Sequence, residues 1–131
     1  MRNQQSGFTL IELVAVIVIL GALAVVALPR FVNLQDEANE AALEGVAGGL
    51  SSAAATNLAG ALAGSGDFTA VNSCSDVAKA LQNGEVPNGY TVGGTLSGSN
   101  TGDSSSCSVT QTASGDSTVF TGYTVPNGPS P

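Results

Sequence analysis

The sequence contains no histidine and no tryptophan, and it has only three basic residues against ten acidic ones, for a net charge of −7. Without histidine the chain lacks the side chain that most often serves as a general base near neutral pH. Its acidic balance repels the phosphate backbone of nucleic acids. These shortages argue against an enzyme, so we predict no catalytic residues and no direct binding of nucleic acid.

Cysteine is also scarce, since only Cys74 and Cys107 occur. Their spacing is not the CxxC spacing of a metal or redox site. In a secreted chain the two would pair as a disulfide, whereas in a reduced protein they would be two buried thiols. A calcium site built from Asn100, Asp103 and Asp116 is disfavoured because their spacing matches no EF-hand loop. We therefore expect a disulfide, no metal and no cofactor.

What the sequence does contain is a long apolar segment near its start. Sixteen consecutive residues from Leu13 to Leu28 have neither a charge nor a hydrogen-bonding side chain. Counting back to Phe8 gives twenty-one residues, interrupted by Thr9 and Glu12 alone. A helix of about 20 apolar residues spans a bilayer. The segment is therefore long enough to be a transmembrane helix.

Three interpretations of this segment remain open on chemistry alone. A cleavable secretory signal would use Arg2 as its positive end and small residues at Ala22 and Ala24 for cleavage. A plain membrane anchor would place Glu12 near the interface. A third interpretation gives Glu12 a function, because a carboxylate in the apolar region costs about 2.5–3.5 kcal/mol on insertion scales.

Residues 7–12, GFTLIE, followed by apolar residues as far as Pro29, resemble the type IV prepilin signature. The resemblance covers about residues 6–36, and residues 29–35, PRFVNLQ, are similar to pilins of the mannose-sensitive haemagglutinin type. It implies that a prepilin peptidase cleaves between Gly7 and Phe8 and that the new amine of Phe8 is methylated. The apolar helix would then stay on the mature protein.

The same resemblance implies roles for further residues. Glu12 would meet the terminal amine at Phe8 of a neighbouring copy during assembly. In family filaments the stretch corresponding to Gly21 through Pro29 unwinds, whereas we expect helix there in an isolated chain. The implied partners are copies of the same chain, which form a helical filament, the peptidase and the inner-membrane assembly machinery. The prepilin would lie in the inner membrane and the filament on the cell surface.

The sequence as a whole predicts an α+β protein shaped like a lollipop, with a long N-terminal helix and a small C-terminal head. We predict a leader at 1–7, an assembly and transmembrane helix at 8–29, an amphipathic helix at 30–60 that packs on the head, and the head itself at 61–131. The amphipathic helix is predicted from apolar positions that recur at helical spacing. These positions are Leu34, Ala38, Ala41, Ala42, Val46, Leu50, Ala53 and Ala54.

In the head, the sequence predicts a short helix at about 75–83, capped by Ser75, and an antiparallel sheet of about three strands. The strands are expected at about 90–96, 107–111 and 118–125. The apolar side chains available for the core there are Val92, Leu96, Val109, Val119, Phe120, Tyr123 and Val125. Because this core is thin, a Cys74–Cys107 disulfide would stabilise it.

The resulting hypothesis is a structural subunit, a major pilin of a type IV pilus, with adhesion or motility as possible roles. A pseudopilin of a type II secretion system is the alternative, since it has the same N-terminal features. A membrane-anchored or secreted binding domain is a more remote alternative.

Overall fold

The computed structural model describes residues 7–127, so residues 1–6 of the predicted leader lie outside it. The chain divides into two compact units, the first ending at Ala38 and the second beginning at Asn39. Its elements are a helix α1 (Leu10–Ala63), a 3-10 helix (Cys74–Ala80) and strands β1 (Tyr90–Gly93), β2 (Ser104–Gln111) and β3 (Ser117–Tyr123). The α+β class, the long N-terminal helix and the three-stranded antiparallel sheet are confirmed.

Helix α1 ends in a motif that its sequence explains. Gly64 follows the helix with φ of +64°, the left-handed conformation that glycine adopts without a Cβ clash. The amide of Gly64 donates to the carbonyl of Ala61, and the amide of Ser65 donates to the carbonyl of Gly60. This pair of bonds is the Schellman arrangement, which satisfies carbonyls at the end of a helix. The helix therefore ends at Ala63, three residues beyond the amphipathic helix predicted at 30–60.

The second unit has one apolar core between α1 and the sheet. The helix contributes Leu43, Ala47, Leu50, Ala54 and Asn57, all buried, at alternating spacings of four and three residues. Such spacing places the residues in one stripe along the helix. Of the apolar positions used to predict an amphipathic helix, Leu50 and Ala54 lie in this stripe, whereas Leu34, Ala38, Ala41 and Ala42 are exposed.

The sheet has the order β1-β2-β3, and both neighbouring pairs are antiparallel. Side chains of Val109 and Phe120 are buried in the core. Because alternate residues of a strand face opposite sides, Val119 points away from that core and is 68% exposed. Its predicted place in the core was wrong. Strand β1 is shorter than predicted, since Gly94 has φ of +102° and takes the chain out of extended conformation.

The outer edge of β3 is covered at two points. The hydroxyl oxygen of Ser51, on α1, accepts a hydrogen bond of 3.2 Å from the amide of Thr121. Beyond the strand, Val71 and Val125 exchange two backbone hydrogen bonds of 2.8 and 2.9 Å. These contacts occupy backbone groups that an edge strand otherwise leaves unpaired.

The short helix differs from its prediction. It is a 3-10 helix from Cys74 to Ala80 with Ser73 at its N-cap, whereas the prediction was a short helix at about 75–83 capped by Ser75. Cys74 and Val77 are fully buried, and Ala80 is half-buried. Their spacing of three residues matches the three residues per turn of a 3-10 helix, which aligns them on one face. Burial of that face explains the tighter helix.

Asn57 holds the segment that follows α1 in place through two hydrogen bonds to its backbone. Its side-chain amide donates to the carbonyl of Thr69 at 2.8 Å, and its side-chain oxygen accepts from the amide of Thr69 at 2.7 Å. Asn57 is only 8% exposed, so both bonds satisfy polar groups inside the protein. This role was not predicted, because an asparagine within an Ala-rich helix shows no sequence pattern that distinguishes it from a surface position.

Candidate functional site

The first turn of α1 has a capping box. The amide of Thr9 donates to the carboxylate of Glu12 at 3.1 Å, and the amide of Glu12 donates to the hydroxyl of Thr9 at 3.3 Å. This reciprocal pair satisfies two amides that the start of a helix leaves unbonded. Glu12 thus has a local role that the sequence analysis missed, although the Thr-x-x-Glu spacing was its signal.

Gly7, Phe8 and Thr9 precede the helix and have no regular secondary structure. The peptide bond between Gly7 and Phe8, at which cleavage is predicted, therefore lies outside α1. Phe8 is 89% exposed, and a Cβ placed on Gly7 would meet no atom within 4 Å. Access to this bond is not obstructed by the described residues of the chain.

Helix α1 leaves its apolar N-terminal part uncovered. Every residue from Gly7 to Ala38 is exposed, including Ile17, Leu20 and Val25. The helix is long and apolar enough to cross a membrane. Exposed apolar area of this extent marks a membrane or protein interaction site, because water contact with it is unfavourable.

Gly21 and Pro29 both lie inside α1. Proline has no amide hydrogen, so Pro29 cannot donate to the carbonyl of Val25, and its ring crowds that turn. Gly21 meets no atom within 4 Å at its Cβ position, so internal packing of the described chain does not demand a glycine there. The stretch between them is helical, as expected for a chain without neighbours, and it is bounded by two residues that weaken a helix.

Charged groups contribute little to the interior of the described chain. Lys79 donates a hydrogen bond of 2.7 Å to Asp76. This bond lowers the pKa of Asp76, against the opposing effect of partial burial, and hydrogen bonds from Ser73 and Asn72 lower it further. Arg30 forms no ion pair among residues 7–127.

Cys74 and Cys107 form a disulfide, with their Cα atoms 5.6 Å apart and 33 positions apart in sequence. It joins the 3-10 helix to the central strand β2, and both cysteines are buried. The backbone of Gly94 lies against the Cys74 sulfur, since a Cβ there would be 3.3 Å from it. Across residues 7–127 no group of three or more acidic or cysteine side chains is placed to hold a metal ion.

The described residues combine an uncovered apolar helix that has a single acidic residue in its first turn with a small disulfide-linked α+β unit. In the comparison with known proteins, residues 2–28 match the prokaryotic N-terminal methylation motif. The chain therefore carries a prepilin motif, and over about a third of its length it is homologous to a type IV pilin and to a type II secretion pseudopilin.

The first of these relatives is the type IV narrow pilus major component PilA5 of Thermus thermophilus, which is 55% identical over 47 residues. The match covers 36% of this chain and 40% of the relative. The second is the type II secretion system core protein G of Pseudomonas aeruginosa, 48% identical over 44 residues, which are 34% of this chain and 31% of the relative. The chain thus spans less than half of either relative, and no solved structure matches it.

Proposed function

We propose that this protein is the structural subunit of a type IV pilus and that its activity is polymerisation rather than catalysis. The observation that carries the proposal is the fully exposed apolar part of α1, from Leu10 onward, at the end of the chain that has the prepilin motif. Such a helix is stable in a lipid bilayer or beside other apolar helices, where close packing favours association. The match to a pilus major component supports packing beside other apolar helices as the final environment.

In this proposal the prepilin is first held in the inner membrane, where a prepilin peptidase cleaves the Gly7–Phe8 bond and the amine of Phe8 is methylated. Assembly machinery in that membrane then adds the subunit to the surface filament. Contacts between copies run from one surface to a different surface, and contacts of that kind generate an open helical filament when they do not close into a ring.

Glu12 selects the position of each new subunit. Removal of the leader creates a cationic amine at Phe8, within one helical turn of Glu12. An apolar environment penalises either charge alone, and a neighbouring copy supplies the opposite charge for each. Unwinding between Gly21 and Pro29 in the filament is part of the same proposal, because the helix is intrinsically weak at both positions.

A pseudopilin of a type II secretion system is the second candidate, favoured by the match to core protein G. Both candidates share cleavage, methylation and helix packing. They differ in the product, which is a long surface fibre for a pilus and a short periplasmic fibre for a pseudopilus. Electron microscopy of sheared surface material distinguishes them.

The capping box provides a sharp test of the Glu12 role. Glutamine at this position retains the side-chain acceptor of a capping box but removes the charge. We expect Glu12→Gln to insert into the membrane normally, since the helix start is preserved, and to reduce surface fibres by at least about tenfold, and we expect the same loss of fibres from Glu12→Ala.

Thr9→Ala is the matched control, because it removes the capping hydroxyl and keeps the charge. We expect it to retain most of the fibre yield. Fibres at the normal level from Glu12→Gln, combined with their loss in Thr9→Ala, would show that Glu12 acts only as a cap. N-terminal sequencing of the mature chain tests processing: a start at methylated Phe8 is expected, and an intact Met1 or a start near Val25 contradicts the proposal.

A further inference from the structure

An open groove lies on the second unit between α1 and the segment that follows the 3-10 helix. One wall consists of helix residues that include Gly45 and Gly49, and the other includes Leu81 and Pro87. Its volume is ≈ 530 Å³. Glu85, also in the wall, is the single charged residue that lines it.

The two wall glycines are not required by the protein's own packing. A Cβ built on Gly45 or Gly49 would meet no atom within 4 Å. Each glycine nevertheless lowers the local equilibrium for a helix interior by about fivefold relative to alanine. The space at these two positions is therefore open. A second molecule can approach the helix backbone closely there.

The first unit contains an exposed apolar segment that carries one cation. Phe31 is 75% exposed and Leu28 is 68% exposed, so both side chains are available for burial. Arg30 lies between them and has no ionic partner among residues 7–127. The other cation in that range, Lys79, is paired with Asp76.

Resting on the function proposed above, we infer that this groove receives a second copy of the chain, with Phe31 entering between α1 and Pro87 and Arg30 pairing with Glu85. The apolar residues of the two walls match the apolar side chains of the segment, and the carboxylate of Glu85 matches its single cation. A contact of this kind joins two different surfaces of the chain, so it can repeat along a filament without closing.

Photocrosslinking in assembled fibres tests the contact directly. Phe31 is replaced by a photoreactive phenylalanine analogue in the full-length chain, fibres are sheared from cells and irradiated, and crosslinked peptides are identified by mass spectrometry. We expect crosslinks to residues 42–49 or 81–87 of another copy. A probe at Ile17 is the control and should not reach those residues. Fibres in which the Phe31 probe crosslinks only elsewhere would overturn the inference.

Charge reversal gives an independent test. Arg30→Glu and Glu85→Arg should each reduce fibre yield by at least about tenfold, which corresponds to about 1.4 kcal/mol. The double variant should recover to within about threefold of the wild-type yield, because the pair is restored with its signs exchanged. Equal amounts of each variant in the membrane fraction confirm that insertion is unchanged. A double variant that is no better than the single ones would contradict the pairing.

Substitutions that fill the groove give a third test. Gly45→Leu should stabilise α1 yet impair assembly, whereas Gly48→Leu, at an exposed glycine of the same helix outside the groove, should stabilise α1 and leave assembly intact. Normal fibres from Gly45→Leu would overturn the inference while leaving the pilus proposal standing. If the wild-type chain forms no fibre at all, the pilus proposal fails and the groove contact fails with it.

Discussion

The sulfur of Cys107 occupies space that Gly122 leaves open. Cys107 pairs with Phe120 in the sheet and Gly122 pairs with Ser105, so the two are diagonal neighbours on adjacent strands. A Cβ built on Gly122 would lie 2.8 Å from the Cys107 sulfur and 3.1 Å from Leu96. The disulfide therefore passes over a strand position at which only glycine fits.

Gly122→Ala should destabilise the second unit, because an added methyl group must displace a covalently fixed sulfur. Overpacking of this kind costs about 1–3 kcal/mol. Urea unfolding of the detergent-solubilised chain measures the loss. Both tyrosines, Tyr90 and Tyr123, lie in the sheet and the chain has no tryptophan, so tyrosine fluorescence reports on this unit.

The matched control for that substitution is Gly48→Ala. Gly48 is exposed on α1 and meets no atom within 4 Å at its Cβ position. Alanine should raise helix stability there by up to about 1 kcal/mol. Equal effects of the two substitutions on the urea midpoint would contradict the steric account.

Asn57→Ala should destabilise the same unit through lost hydrogen bonds. The substitution leaves the amide and the carbonyl of Thr69 without their side-chain partner in a partly buried place. Unsatisfied groups of this kind cost about 1–3 kcal/mol. Asn88→Ala, at an exposed position, should stay within about 0.5 kcal/mol of the wild type. A similar midpoint for both variants would show that the Thr69 contact contributes no stability.

Removal of the disulfide should have the largest effect. Replacing Cys74 and Cys107 by serine opens the loop that they close. In the chain-entropy model this lowers the free energy of unfolding by about 3–4 kcal/mol. The wild-type chain under reducing conditions should unfold at the same urea concentration as the double variant. Unchanged unfolding after verified reduction would show that the apolar core alone holds the unit together.

Stability should depend on pH through Asp76. Its pKa is lowered from 3.8 in the folded protein by the Lys79 bond first, so folding favours the ionised form. The resulting stabilisation is complete above pH 3.8 and is lost as the pH falls through the folded-state pKa.

Asp76→Asn should therefore be less stable than the wild type at neutral pH, by up to about 1 kcal/mol for a surface pair. The difference should disappear in strong acid, where the wild-type carboxylate is protonated. Urea midpoints measured from neutral to acidic pH check this expectation. A difference that stays constant over the whole range would assign the effect to something other than ionisation.

The sequence was sufficient to predict the long helix, the α+β class and the three strands, because each has a local signal. The disulfide was predicted on a different ground, the presence of just two cysteines in a chain expected to be secreted. Apolar residues in an uninterrupted run specify α1, and strand-forming residues between turn residues specify the sheet. The buried stripe of α1 was harder to predict. Many small alanines and glycines occupy the helix after Ala38, so composition alone does not show which face meets the sheet.

Other features depend on contacts between distant residues. The Asn57–Thr69 bonds and the close approach of Gly122 to Cys107 join parts of the chain whose neighbourhood exists only after folding. The 3-10 form of the short helix results from burial of Cys74 and Val77, which single-sequence propensity does not report. The capping box of Thr9 and Glu12 was within reach of sequence analysis, but the apolar context directed attention to the charge of Glu12 instead.

The covered edge of β3 has a consequence for the behaviour of many copies at high local concentration. A bare strand edge beside an exposed Val119 is a template for strand addition, the first step toward amyloid-like aggregates. The Ser51 hydroxyl and the Val71 backbone occupy donors and acceptors along that edge. Crowded copies are thereby discouraged from joining sheet to sheet, a misassembly that would compete with the proposed association through their helices.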